Sequence, residues 1–395
     1  FAIKDRMKHG SFMDHLTICP FCDEQLVSSE LQRHANDHFE DTTSFLNESP
    51  KTLPKIPDGN LKIQTKNLLA CQVKSPLHCF EKDSGIMSLL YKSLQHEASR
   101  GPKSLTRTTF LCGYVDHFYC IESEDMGWGC GWRNIQMLSS HLLISRESAR
   151  EPLFGNCGFV PGIPYLQRWL EIAWEKGFDT AGSLHFNRAI YGFKHLIGTT
   201  ECAALFRSFG FRAKIVDFSD PEFDSFLLSV PGTSRGNFEA SAVYGPMDNF
   251  VNRKSSSNPK TIKSHTCKPL LEWVWNYFSE HHLKQIGCSS KVITTAKSPL
   301  YFQHDGHSRT IVGIQMKQRK AKGLEFDLLV LDPDHKTELI EKSLVGNSGW
   351  QKLLKRGAHT LKMPQYQLCF IDDGMADDNE MESLKTIDSV AVQLK

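Results

Sequence analysis

The chain has 395 residues, 40% of them hydrophobic, and its 46 basic residues against 45 acidic ones leave a formal charge of +1. That length buries a sizeable core and predicts two or three structural units. The near-zero charge lacks the basic excess that binding along a phosphate backbone demands, so nucleic acid is not the leading partner. No apolar run approaches the roughly 18 to 20 residues of a membrane-spanning helix, and Phe1 to Gly10 lack the basic-then-apolar pattern of a secretion signal. The expected setting is the cytoplasm and nucleus, with most of the twelve Cys reduced and buried as small apolar residues.

Residues 1–40 predict a zinc finger of C2H2 type. Cys19-Pro-Phe-Cys22 is followed by eleven residues and then by His34 and His38, which supplies two thiolates and two imidazoles at the spacing of a tetrahedral zinc site. So short a unit folds only with its metal, so the zinc is structural. One finger covers about three base pairs, and the predicted helix Ser28 to Phe39 carries Glu30, Arg33, Asn36 and Asp37, a mixed charge that suits protein binding at least as well as DNA.

Residues 41–105 read as a linker and helical arm. The polar stretch Glu48 to Pro57 is linker-like. Ser84 to Ser99 places Ile86, Leu89, Leu90 and Leu94 on one helical stripe, which either packs on the next domain or reaches a partner such as ubiquitin.

Residues 106–371 alternate helical and strand patterns, as a mixed α/β domain does. Helices are predicted at the Cys130 segment, from Pro164 to Gly177, over Glu201 to Phe209, and through Leu270 to Phe278. Strands are predicted over Ala213 to Phe218, Leu300 to Gln303, Thr310 to Gln315, Phe326 to Leu331 and Leu368 to Ile371. Residues 229–265, rich in Gly, Ser, Asn and Pro, read as a mobile insertion. Residues 372–395 read as an acidic, solvated tail.

The chemistry concentrates at Asp125-Met-Gly-Trp-Gly-Cys130-Gly-Trp-Arg-Asn134. It precedes the apolar-periodic Ile135, Leu138, Leu142 and Leu143, so Cys130 falls in the first turn of a helix. Unpaired backbone N–H groups and the helix dipole favour a thiolate there, and Gly127, Gly129 and Gly131 leave room for an extended substrate. A nucleophilic thiolate needs an imidazole and an orienter for it. His307 opens one predicted strand and Asp332 closes the next. If those strands are neighbours, the order Cys130, His307, Asp332 gives a triad in the order of papain-like proteases.

With these residues the sequence resembles the ubiquitin-fold-modifier-specific peptidases, distant relatives of the autophagy cysteine proteases. The likeness rests on Gly127-Trp-Gly-Cys130-Gly-Trp-Arg-Asn134, on Gly306-His-Ser-Arg-Thr-Ile-Val-Gly313 and on Leu331-Asp-Pro333. Together with the finger they resemble the zinc-finger branch of that family. The resemblance implies an α+β, papain-like cysteine protease fold and a deubiquitinase that prefers long lysine-63-linked chains and works in the DNA damage response and genome stability. It also implies ubiquitin and polyubiquitin as partners, single-stranded-DNA-binding repair proteins as further candidate partners, no membrane, and a monomer. The alternatives are a peptidase for the ubiquitin-fold modifier and a non-catalytic zinc-finger protein that binds ubiquitin or nucleic acid.

One departure bears on the base. Modifier-specific relatives carry Asp-Pro-His, whereas this sequence has Asp332-Pro-Asp-His335, which favours His307 over His335. By position, Asp179 and Glu201 match acidic residues that hold the arginine-bearing tail of ubiquitin in the zinc-finger branch, and charge-assisted pairing is the physical reason. Trp128 is expected to wall the channel. The oxyanion hole is expected to use the Cys130 backbone N–H with a second donor, for which Gln303, His117 and Tyr119 are the candidates.

Overall fold

In the computed structural model, the described residues are 16–18, 25–27, 85–100, 105–156, 158–219, 267–282, 289–304, 306–319 and 322–394. The chain divides into two units, Phe1–His78 with Phe154–Phe159, and Cys79–Leu153 with Val160–Lys395. In the first, β1 (Leu16–Ile18) pairs antiparallel with β2 (Gln25–Val27), Leu16 opposite Val27 and Ile18 opposite Gln25. Cys19, Cys22, His34 and His38, the predicted helix Ser28 to Phe39, the Glu48 to Pro57 linker and the 229–265 insertion lie outside the described residues.

The second unit is α+β. Its strands are β3 (Leu105–Leu111), β4 (Phe211–Ser219), β5 (Lys291–Thr294), β6 (Leu300–His304), β7 (His307–Arg319), β8 (Lys322–Leu331), β9 (Lys355–Gly357), β10 (Gln365–Met375) and β11 (Ser389–Gln393). They form one sheet in the order β11-β4-β10-β6-β7-β3-β5, with β8 pairing β7 and β9. The long strand β7 organises it. Along one edge it pairs β6 through 307–311 and β3 through 313–319, and along the other it pairs β8.

The helices are α1 (Gly85–Arg100), α2 (Cys130–Ser145), α3 (Glu147–Arg150), α4 (Ile163–Glu175), α5 (Thr180–His185), α6 (Thr199–Ser208), α7 (Lys268–Ser279), α8 (Thr337–Val345), α9 (Trp350–Leu354) and α10 (Asp378–Leu384). Among the described residues, no helix is long and apolar enough to cross a membrane. The core fills with the alternating inward residues of the strands, such as Leu300 and Phe302, or Ile314 and Met316, and with helix stripes such as Leu270, Leu271, Val274 and Phe278 on α7. The Phe110 and Trp275 rings meet edge to face at 5.0 Å, a geometry that the aromatic quadrupole favours.

Of the two readings of the arm helix, packing on the domain that follows is the one seen: Ile86, Leu90 and Leu94 are buried in the core. Ser93 Oγ donates to the Leu344 carbonyl of α8 at 3.4 Å, and Lys355 Nζ donates to Glu97 at 2.7 Å. Four apolar side chains on one face are worth more buried than exposed, and the sheet edge offers the surface.

The acidic tail is also structured. Asp377 caps α10 and completes a capping box with Glu380, so acidic residues that read as a solvated run are the signal of a helix start. Glu380 then accepts from Arg212 at 2.6 Å. Beyond it, β11 pairs in parallel with β4, anchored by buried Ile387 and Leu394.

Gly313 lies where β7 passes from β6 to β3, and a Cβ there would run into the Phe110 carbonyl oxygen. Overpacked sites cost about 1–3 kcal/mol, and backbone atoms give way poorly. Gly313→Ala is therefore expected to lower the urea midpoint without changing the m-value. An unchanged midpoint would show that β3 and β7 tolerate separation.

Candidate active site

Cys130 is the first residue of α2, preceded by Gly129 with φ −77° and no side-chain cap. No N-cap side chain thus satisfies the first-turn N–H groups, whose dipole favours a thiolate at this end of the helix. The turn before it is locked by Asp125, whose buried carboxylate accepts from Ile121 N at 2.9 Å and from both Arg133 Nε at 2.8 Å and Arg133 Nη2 at 2.9 Å. This fork clamps loop to helix. Asn134 accepts from Thr310 Oγ1 at 2.6 Å and donates to the Cys130 carbonyl at 2.7 Å, which pins the helix start to β7.

The glycines do more inside the protein than toward a substrate. A Cβ at Gly129 would collide with the Asp125 carboxylate, and one at Gly131 would lie 2.6 Å from Ile197 Cγ1 and 2.9 Å from the Tyr301 hydroxyl. Only Gly127, with φ +86° and open space around it, fits the expectation of room for an approaching chain.

His307 opens β7 and pairs with His304 at the end of β6, with Gly306 before it at φ 73°. Thr310 pairs with Leu331, so Asp332 leaves β8 beside Arg309 and within reach of His307. His307 Nε2 lies 2.9 Å from Asp332 Oδ1, and Arg309 Nε donates to Asp332 Oδ2 at 2.5 Å. Arg356 Nη2 stands 3.6 Å from the same carboxylate, and the Asp334 N–H donates to it at 3.2 Å. With Nε2 taken, Nδ1 is the ring nitrogen left for the thiol, and His307 and Cys130 are hydrogen-bonded.

The electrostatics follow. Burial works against a charged His307, but its hydrogen bonds to Asp332 and Cys130 overcome this and hold the imidazole up to about 9. Burial likewise opposes a charged Cys130, yet the hydrogen bond and charge of His307, with the Ser308 hydroxyl and N–H, bring the thiol below its ordinary value. The Ser308 hydroxyl is buried beside that sulfur. Burial would raise Asp332, but His307 and Arg309 hold it far below the usual carboxylate range. The arrangement is a buried thiolate–imidazolium pair supported by an ionised carboxylate.

The other predicted residues fall elsewhere. His335 donates its backbone N–H to the Asp332 carbonyl at 3.1 Å; its ring is bonded to neither Cys130 nor the Asp332 carboxylate. His117 bridges Thr337 Oγ1 at 3.0 Å and the Asp332 carbonyl at 3.2 Å, and burial pushes it down to about 4, so it is a neutral strut behind Asp332. Gln303 is fully buried and register-paired with Ser308, on the sheet face turned to Cys130. Tyr119 is half-buried in the segment leading to Cys120. Trp128, half-exposed two residues before Cys130, donates its indole N–H to the Glu124 carbonyl at 3.2 Å.

The two acidic residues do not present themselves to solvent. Asp179 is 4% exposed and caps α5, accepting from Gly182 N at 3.1 Å, and burial raises its carboxyl above the usual range. Glu201, also 4% exposed, accepts from Gly198 N at 2.7 Å as the acid of a helix start. Both carboxylates also serve helix starts here, each accepting from a backbone N–H group. Reasoning from the sequence missed Arg309, Arg356, Ser308 and the Asp125–Arg133 fork. Arg309 and Ser308 stand in the motif that holds His307, but their partners are set by strand register.

A suicide probe that alkylates a catalytic thiol is expected to label Cys130 in the wild type and in His335→Ala, and to lose labelling in His307→Ala. Survival of labelling in His307→Ala alone would transfer the base to His335. The working species needs a charged His307, so the rate should hold through neutral pH and fall as pH rises through about 9. Asp332→Asn removes the main support of that charge, so its alkaline limb should move toward the ordinary imidazole value of about 6.5. An unmoved limb would show that Asp332 does not support His307.

Residues 104–369 match peptidase family C78. Over 311 residues the chain is 32% identical to the "Zinc finger-containing ubiquitin peptidase 1" of Rattus norvegicus, covering 78% of this chain and 44% of that one. The protein of the same name from Mus musculus is 30% identical over 305 residues, covering 76% and 43%. The chain thus spans less than half the length of these relatives. "Ubiquitin carboxyl-terminal hydrolase mug105" of Schizosaccharomyces pombe is 28% identical over 285 residues, covering 72% of this chain and 89% of that one. A crystal structure of UfSP from C. elegans is similar at a TM-score of 0.38 and 13% identity, covering 89% of this chain and 48% of that one, too distant to bear on the site. With the match to residues 104–369 extending over more than half of its length, this chain belongs to peptidase family C78.

Proposed function

We propose that the protein is a cysteine-type deubiquitinase that hydrolyses isopeptide bonds in polyubiquitin through Cys130, His307 and Asp332. The observation that carries this is the hydrogen-bonded Cys130–His307 pair with Asp332 behind it. In the first step the Cys130 sulfur attacks the carbonyl carbon of the C-terminal glycine of ubiquitin. The Cys130 backbone N–H and the Gln303 amide stabilise the oxyanion. His307 Nδ1–H passes its proton to the departing lysine amine, leaving a thioester and a neutral imidazole. That imidazole takes a proton from water as the water adds to the thioester, and the thiolate leaves. Asp332 keeps its charge throughout and holds the ring, while Trp128 walls the channel.

Ubiquitin rather than the ubiquitin-fold modifier is the substrate class, since the relatives that match over most of this chain are named as ubiquitin peptidases or hydrolases. The finer reading follows the resemblance to the zinc-finger branch: long lysine-63-linked chains, in the DNA damage response and genome stability, in cytoplasm and nucleus. A structural zinc on Cys19, Cys22, His34 and His38 belongs to it. The antiparallel pairing of the two strands that flank the Cys pair fits the ββ half of such a finger.

The C-terminal fluorogenic amides of ubiquitin and of the ubiquitin-fold modifier separate the readings. The expected outcome is turnover of the ubiquitin amide, lost in Cys130→Ala, with little turnover of the other. Preference for the modifier would overturn the substrate class. No turnover of either would leave a binding module.

A further inference from the structure

The sheet carries a second polar site, which shares Arg309 and Arg356 with the support of Asp332 but has none of Cys130, His307 and Asp332 in its lining. A cavity of about 570 Å³ opens between β6–β9 and the segment after β9, floored by Phe302 and Leu361. That volume is within the range of small-ligand sites. Arg309, Lys317, Lys352, Lys355 and Arg356 line it, and Asp327 is the carboxylate in its wall.

The wall is short of negative charge. Lys317 is paired with Asp327, and Lys355 is held by Glu97. Arg309 and Arg356 share one carboxylate, Asp332, at 2.5 Å and 3.6 Å. Burial, followed by the nearness of Arg309, works against the charge on Arg356, which Asp332 offsets only in part. Lys352 is exposed at the rim. Five cations therefore face three carboxylates.

An independent observation points the same way. His304 lines the cavity, and its Nε2 lies 2.7 Å from Arg309 Nη1, a donor at all ordinary pH, so Nε2 accepts and the ring is neutral. Burial and Arg309 push His304 down to about 3. Its proton therefore sits on Nδ1, a buried N–H with no acceptor among the described residues. A cavity with surplus cations and an unmet donor lacks an acceptor-rich anion.

We propose that this cavity binds a phosphate group, as a free polyphosphate or nucleotide or as a phosphorylated side chain. A tetrahedral dianion offers enough oxygens for the Arg309 N–H groups that Asp332 and His304 do not take, the Lys352 ammonium and the His304 N–H at once, with the Arg356 charge beside them. A single carboxylate has only two oxygens. The chemistry is binding alone and involves no transfer of the group.

Titration of the full chain with inorganic pyrophosphate, followed by thermal shift and calorimetry against sodium chloride of matched ionic strength, tests it. Saturable stabilisation is expected. Lys352→Gln should weaken the dissociation constant by about tenfold or more, as for a lost charge-assisted hydrogen bond. Lys342→Gln, an equal charge change on exposed α8 away from the cavity, should leave it unchanged. A phosphoserine peptide is the second arm. Binding tighter than pyrophosphate assigns the group to a phosphorylated protein, and weaker binding assigns it to a small molecule. No saturation with either ligand beyond the salt control, or equal losses in the two variants, would overturn the site.

Discussion

Asp332 is a carboxylate that three basic side chains want at once. His307 takes one oxygen, Arg309 takes the other, and Arg356 stands behind. A buried carboxylate is tolerable only because it is paired, and a buried imidazolium only because the carboxylate is there. Everything local follows from that mutual dependence. The Asp334 N–H closes a turn onto the same oxygen that holds His307, and His117 braces the Asp332 backbone carbonyl. The two arginines tie the peptidase centre to the far face of the sheet, where they form one wall of the basic cavity.

The second constraint is close approach. The start of α2 must sit against β6 and β7 for the sulfur to reach the imidazole, so bulk is removed where backbones meet. Gly131 lets Ile197 and Tyr301 press onto the first turn, and Gly129 lets the Asp125 carboxylate fold under it. Asn134 and Thr310 then fasten helix to strand by a buried hydrogen bond. The glycine-rich motif around Cys130 thus serves the assembly of the centre first, and Gly127 alone leaves open space at the approach to it.

Much of the site was legible because its parts are local. The cysteine at a helix start follows from glycines before an apolar period, and the helices at Ile163–Glu175 and Lys268–Ser279 follow from periodicity with Pro in the first turn. Residues whose meaning depends on what lies opposite were not legible. Asp179 and Glu201 carry the charge expected of substrate contacts, and only the fold shows that they also cap helix starts. Asp377 and Glu380 belong to a run that looks like a solvated tail, and a capping box with Arg212 across from it makes that run a helix.

The sequence by itself determined the nucleophile, the order of the three residues and the helix or strand that bears each, since these rest on spacing and period within a dozen residues. The tertiary structure alone decided which histidine faces the thiol, which cations share Asp332 and which acids are buried. Those outcomes depend on the register of β6, β7 and β8 and on how far each charge is removed from water. A change of one residue in the pairing of Thr310 with Leu331 would put Asp332 on the other face of the sheet. Pairing between distant strands is not written in either strand alone.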